Sequence, residues 1–165
     1  MNEKISKILE KIVTETFEGL AFMFGFPEED ETAGSGESMI VTQVGFQGPF
    51  SGRMIMAVTR QTVEELTANM LGLDDDEAEI SSADQADALK ETINVICGNL
   101  LPAIGGKEAV FDIHSPETLS DKTSLDQMPD EGLIAAVKLS IEDEPCRLSL
   151  YIDGQNPEAF MKLAD

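Results

Sequence analysis

Four residues in the second half of the chain have the types and the spacing to meet a reacting partner. Asp87, Glu91, Asn94 and Gly98 follow one another at steps that, at about 100° per residue, place them on one narrow arc of a helix. Ala86, Leu89, Ile93, Ile96, Cys97 and Leu100 lie opposite and form an apolar face. Asn costs a few tenths of a kcal/mol and Gly about 1 kcal/mol relative to Ala in a helix, so two of the four positions work against the element that carries them. Two readings account for that. Either Asn94 and Gly98 relieve crowding against another element, or Glu91 and Asn94 point at a partner that Gly98 allows to come close.

The chemistry open to such a stripe is narrow. Asp87 and Glu91 can form an acid/base pair, although carboxylates at this spacing on an exposed face are also simply solvated. A carboxamide offers donors and an acceptor without titrating, so Asn94 can hold a water. Hydrolysis of an acyl phosphate asks for that, because the phosphoryl group is already activated and catalysis comes mostly from placing the water in line. Other familiar sites lack their parts. His114 is the one histidine, which removes His-based triads and multi-histidine metal centres. Cys97 and Cys146 have no metal-ligand spacing, and no glycine-rich phosphate loop is present. No resident metal or cofactor is expected.

Composition bounds the partner class. The chain has 165 residues, 42% of them hydrophobic, enough for one core, and one domain over 1–165 is expected. Asp and Glu number 32 against 11 Lys and Arg, for a net charge of -21. Phosphate repulsion in that field argues against nucleic acid. The two cysteines read as reduced core thiols, the N-terminus lacks a signal-peptide core, and no apolar run reaches the roughly 20 residues of a membrane span. A cytoplasmic protein with no membrane association is expected.

The elements that must position the stripe follow from periodicity. Ile5, Ile8, Leu9, Ile12, Phe17, Leu20 and Phe24 predict a long amphipathic helix over 3–24. An acidic loop spans 27–38, and residues 39–47 and 53–58 read as a hairpin around Gly48–Gly52. Thr62-Val-Glu-Glu65 has capping-box spacing for a short helix that ends at Gly72. Ser82-Ala-Asp-Gln85 caps the helix of the stripe, which Pro102 should end or kink near Leu100. A short strand over 109–113, a loop over 117–131 and a hairpin of 133–141 with 147–153, joined by Glu142–Pro145, complete the chain. The expected fold is α+β: two long helices packed on one face of a mostly antiparallel sheet, with weak internal duplication.

Glu91-x-x-Asn94-x-x-x-Gly98-Asn99, with Asp87 upstream and Pro116 downstream, resembles the signature of the CheC/CheX/FliY phosphatases of bacterial chemotaxis. A single copy in the second half points to the CheX branch. The resemblance implies hydrolysis of the aspartyl phosphate of a CheY-like response regulator. It implies that Asn94 orients the attacking water and Glu91 meets the regulator's active-site lysine. Asp87, Gly98 and Pro116 would then belong to the partner-binding surface, and the Mg²⁺ to the regulator. In the first helix, Glu15-Thr-Phe-Glu18 has a Glu where an Asn would be needed, so a second site is not expected. A homodimer formed by joining sheet edges is also implied. Two competing readings are a non-catalytic adaptor that sequesters a phosphorylated receiver and a structural domain of the flagellar switch.

Overall fold

Alternation along Leu133–Ile141 (β6) and Glu144–Ile152 (β7) builds the centre of the sheet. Only two residues join them. Glu142 and Asp143 have φ of 49° and 67°, the successive left-handed pair of a tight hairpin turn whose twist matches the strands. The connection is therefore shorter than the expected four residues. Pro145 lies inside β7 opposite Ser140, just before β7 meets its other neighbour at Cys146, so its missing N–H breaks no ladder. A bulge between Leu133 and Ala135 shifts the alternation, so Leu133 packs on the sheet face opposite to Ala135, Val137 and Leu139.

The computed structural model describes residues 2–28, 39–73, 80–119 and 131–154. Within these the chain runs α1 (Glu3–Ala21), β1 (Gly25–Pro27), β2 (Ile40–Gln47), β3 (Gly52–Val58), α2 (Arg60–Leu71), α3 (Ser82–Gly105), β4 (Asp112–Ile113), β5 (Glu117–Thr118), then β6 and β7. The strands form one antiparallel sheet in the order β1-β6-β7-β3-β2-β4, with β5 also on β2. The α+β class is as expected, with three helices of 19, 12 and 24 residues. Their apolar faces meet Met54, Met56, Val58, Leu148 and Leu150 on one side of the sheet, forming the main core. Val41, Ile55, Ala57 and Tyr151 make a smaller cluster on the other side. Most of the loop expected over 27–38, most of the connection at 73–77 and most of the loop over 117–131 lie outside the described residues.

Boundaries moved for local reasons. α1 stops at Ala21 rather than Phe24, because Phe22 turns left-handed at φ 54°. There the N–H of Phe22 donates to the Glu18 carbonyl and that of Met23 to the Phe17 carbonyl, which closes the helix end. The next residues form β1, a strand too short for its alternation to register in the sequence. α2 is capped by Thr59, whose hydroxyl accepts from the Thr62 N–H at 3.3 Å, three residues before the expected cap. Gly72 ends it as expected, at φ 70°.

The largest correction concerns α3, which continues through Pro102 to Gly105. A proline inside a helix removes the hydrogen bond to the carbonyl four residues back and costs about 3 kcal/mol. That carbonyl belongs to Gly98, and both Gly98 and Pro102 lie on the exposed side, where solvent reaches it. On the buried side Leu100, Leu101 and Ile104 hold the last turns against the core, and their burial offsets the loss.

Both cysteines are buried and free. Burial pushes the Cys97 and Cys146 thiols up from 9.0 to about 12, with the Arg147 guanidinium opposing the shift at Cys146. Above pH 9.0 the unfolded chain loses these protons while the folded chain keeps them. The stabilisation from the neutral thiols is thus intact below 9.0 and lost as pH rises toward 12. Chemical denaturation across that interval should show a falling unfolding free energy, and a Cys97→Ala, Cys146→Ala chain should show a shallower fall. Alkylation under native conditions at neutral pH should leave both thiols unmodified.

Candidate functional site

The stripe owes its position to the opposite face of α3. Ser81 caps the helix, its hydroxyl accepting from the Asp84 N–H at 3.0 Å. Ala88, Leu89, Thr92, Ile93, Ile96, Cys97 and Leu100 are buried beneath it. The Thr92 hydroxyl donates to the Ala88 carbonyl at 2.7 Å, which satisfies a polar group on this apolar face. α3 packs on α1, α2, β2 and β4, so its rotation is set from several sides. Asp87, Glu91, Asn94 and Gly98 are consequently all exposed. At 1.5 Å per residue they extend along roughly 16 Å of helix.

Packing does not explain the stripe. A Cβ placed on Gly98 would meet nothing within 4 Å, so no crowding among the described residues accounts for the glycine. Among the described residues neither the Glu91 carboxylate nor the Asn94 carboxamide has a hydrogen-bonding or ionic partner. Asn94 thus presents donors and an acceptor to solvent above a helix surface that stays low for a full turn. Such a surface can admit a partner's backbone and hold a water against it.

Pro116 is placed elsewhere. It is buried between β4 and β5, which both pair with β2 along one edge of the sheet, a position where a residue without an N–H is tolerated. It shapes that edge and does not share the exposed face of α3. His114 follows β4, its N–H donating to the Gly45 carbonyl at 2.9 Å. No group of three His, Cys, Asp or Glu side chains able to hold a metal ion occurs among the described residues. None of the helices among them is long and apolar enough to cross a membrane. On α1, Glu15 and Glu18 are exposed, and Glu15 lies 4.0 Å from Lys11.

One feature beside the stripe escaped the periodicity argument. A groove of about 670 Å³ runs between α1 and α3, with Asn99, the residue after Gly98, on its α3 wall. Lys4, Lys11 and Gly19 line it from α1. Lys4 and Lys11 share a helical face, which was legible, but only the packing of α1 beside α3 turns that face into a wall.

The family model described as "Chemotaxis phosphatase CheX" matches residues 40–131, from β2 to the turn before β6 and including all of α3. The chain belongs to the CheX family. The CheX fold is seen again in a chemotaxis protein CheX from Desulfovibrio desulfuricans, with 18% identity, a TM-score of 0.71, and 91% of this chain and 99% of that one covered. CheX from Vibrio vulnificus is 14% identical, with a TM-score of 0.70 over 90% of this chain and 96% of that one. A chain of the CheX-CheY-BeF3-Mg²⁺ complex from Borrelia burgdorferi is 16% identical, with a TM-score of 0.63 over 90% of this chain and 97% of that one. At these identities the likeness is one of fold. No curated protein sequence matches.

For this CheX-family chain the open space over Gly98 has a measurable cost in stability. Gly98→Ala should raise the urea unfolding free energy by about 1 kcal/mol, since helix propensity improves and no contact is disturbed. A loss of stability would mean that the glycine is required by packing.

Proposed function

We propose that the protein hydrolyses the aspartyl phosphate of a CheY-like receiver, with α3 supplying one half of an active site and the receiver the other. The observation that carries this reading is the unpartnered Asn94 carboxamide on an exposed helix face kept low by Gly98. Asn94 orients a water in line with the acyl phosphate. The water oxygen bonds to phosphorus as the bond from phosphorus to the aspartate oxygen breaks, giving a free carboxylate and inorganic phosphate, with the water's proton released to phosphate or solvent. The Glu91 carboxylate pairs with the receiver's lysine and fixes the approach of α3. Mg²⁺ stays with the receiver, where it neutralises phosphoryl charge. Asp87 adds acid on the same side as Glu91, and Pro116 supports the site from the sheet edge rather than by contact. Support comes from the Borrelia complex, in which a chain of similar fold is found with CheY.

The reading is tested by following loss of phosphate from a pre-phosphorylated CheY-like receiver of the same genome. Asn94→Ala should slow turnover by roughly 100-fold. Its urea midpoint should stay unchanged, because the side chain is exposed and makes no contact to lose. Glu91→Ala should act mainly by weakening the encounter, raising KM. Turnover by Asn94→Ala equal to that of the parent would remove the mechanism, and binding without turnover by the parent would assign the chain to the adaptor class.

We also propose that the protein acts in the cytoplasm as a homodimer joined at sheet edges. Among the described residues β1 is one such edge, with Phe24 just before it and Phe26 within it, 52% and 69% exposed. Large exposed aromatic rings on an edge strand favour burial against another chain. Light scattering at micromolar concentration should return twice the monomer mass, and Phe24→Ser with Phe26→Ser should reduce it to one. Monomer mass for the unaltered chain would refute the dimer.

A further inference from the structure

We infer that the groove between α1 and α3 is a second contact for the same receiver, seating an acidic amphipathic helix of that partner across Gly19 and Asn99. This rests on the functional reading above and extends it to the part of the partner that lies away from the phosphorylated aspartate. The groove borders the stripe directly, since Val95 and Asn99 line it while their neighbours Asn94 and Gly98 belong to the stripe. A body resting on the stripe therefore lies within reach of the groove.

The kind of occupant follows from the walls. Both are helices, whose main-chain groups are already paired internally except at the ends and at the Gly98 carbonyl, so the groove offers no ladder to an extended strand. A segment entering it must satisfy its own backbone, and a helix does. From Lys4 to Leu20 the α1 wall rises about 24 Å, enough to lie alongside some four helical turns. Ile8, Ile12 and Leu20 on α1 and Val95 and Ala103 on α3 give it apolar surface.

Charge selects the acidic flank. In a chain with net charge -21, Lys4, Lys7 and Lys11 gather three of the 11 basic residues on one face of α1. Lys4 and Lys11 stand at the groove itself, against the single carboxylate of Glu15 in its lining. Lys4 has no ionic partner among the described residues, and Lys11 has Glu15 at the 4.0 Å limit of a surface pair, which is weak. Beside them the stripe is acidic at Asp87 and Glu91. A partner must therefore bring its lysine to the stripe and its carboxylates to the groove, which fixes one orientation.

Gly19 is an independent sign of close approach. It stands in the last turn of α1, lines the groove, and a Cβ there would meet nothing within 4 Å. No turn geometry requires it and no packed neighbour excludes a side chain. It costs about 1 kcal/mol in helix propensity relative to Ala, as Gly98 does on the other helix.

The experiment reads binding and turnover separately. The receiver is held in its phosphorylated form with beryllofluoride and Mg²⁺, and its Kd is measured for the parent, Gly19→Trp, Lys4→Glu with Lys11→Glu, and Asn94→Ala. Gly19→Trp puts a bulky ring into the groove from a position where a Cβ meets nothing within 4 Å, and the charge pair reverses its rim. Both should weaken Kd by roughly tenfold, with the fall in kcat/KM carried by KM, and the charge-pair effect should shrink at high salt. Asn94→Ala should lose turnover and keep Kd. If both groove variants fold and keep the parent Kd and KM, the second contact is refuted whatever Asn94 does. If Asn94→Ala turns over normally, the catalytic reading fails while the Kd series still judges the groove.

Discussion

The exposed stripe of α3 is placed by what the same helix buries. Ile93, Ile96, Cys97, Leu100 and Ile104 have no exposed surface, and their insertion between α1, α2 and the sheet fixes the helix in rotation as well as in position. A turn of one residue about the axis would carry Asn94 some 100° round and bury a carboxamide without a partner. A loop would leave the stripe residues free to move relative to one another, whereas one rigid helix holds them at constant spacing. That rigidity is what the proposed site relies on, since it would hold only half the groups its chemistry needs.

The sequence disclosed the fold wherever periodicity was long. The strands at 133–141 and 40–47, and the stripe of α3, were legible because side-chain alternation and helical spacing repeat several times in each. Failures came where a single backbone event outweighed pattern. Phe22 ends α1 by adopting a left-handed conformation that few bulky residues take, so apolar spacing running on to Phe24 overran it. Glu142 and Asp143 make a turn of a kind usually built from Asn and Gly, which is why Pro145 read as part of the loop. At Pro102 the local rule was sound, but burial of three neighbouring apolar residues outweighed it.

The candidate site divides in the same way. The exposed stripe was legible because Asn and Gly are poor choices on a helix and call for a reason. The crowding explanation could be dismissed only once the space above Gly98 was seen to be open. Pro116 was assigned by resemblance to the binding surface, and it is buried between β4 and β5, where no helical periodicity could place it. The groove was invisible because its two walls are more than seventy residues apart in sequence and meet only through tertiary packing.

The gap that Pro102 leaves in the helix has a consequence of its own. A helix side ordinarily shows a visitor nothing but side chains, since its main chain is fully engaged. At Gly98 the carbonyl has lost the donor due to it and no Cβ stands over the backbone, so the peptide itself becomes part of the surface. Substitution at position 98 itself cannot delete such an acceptor. It is inherited with the backbone, and restoring an N–H at position 102 is what would retire it.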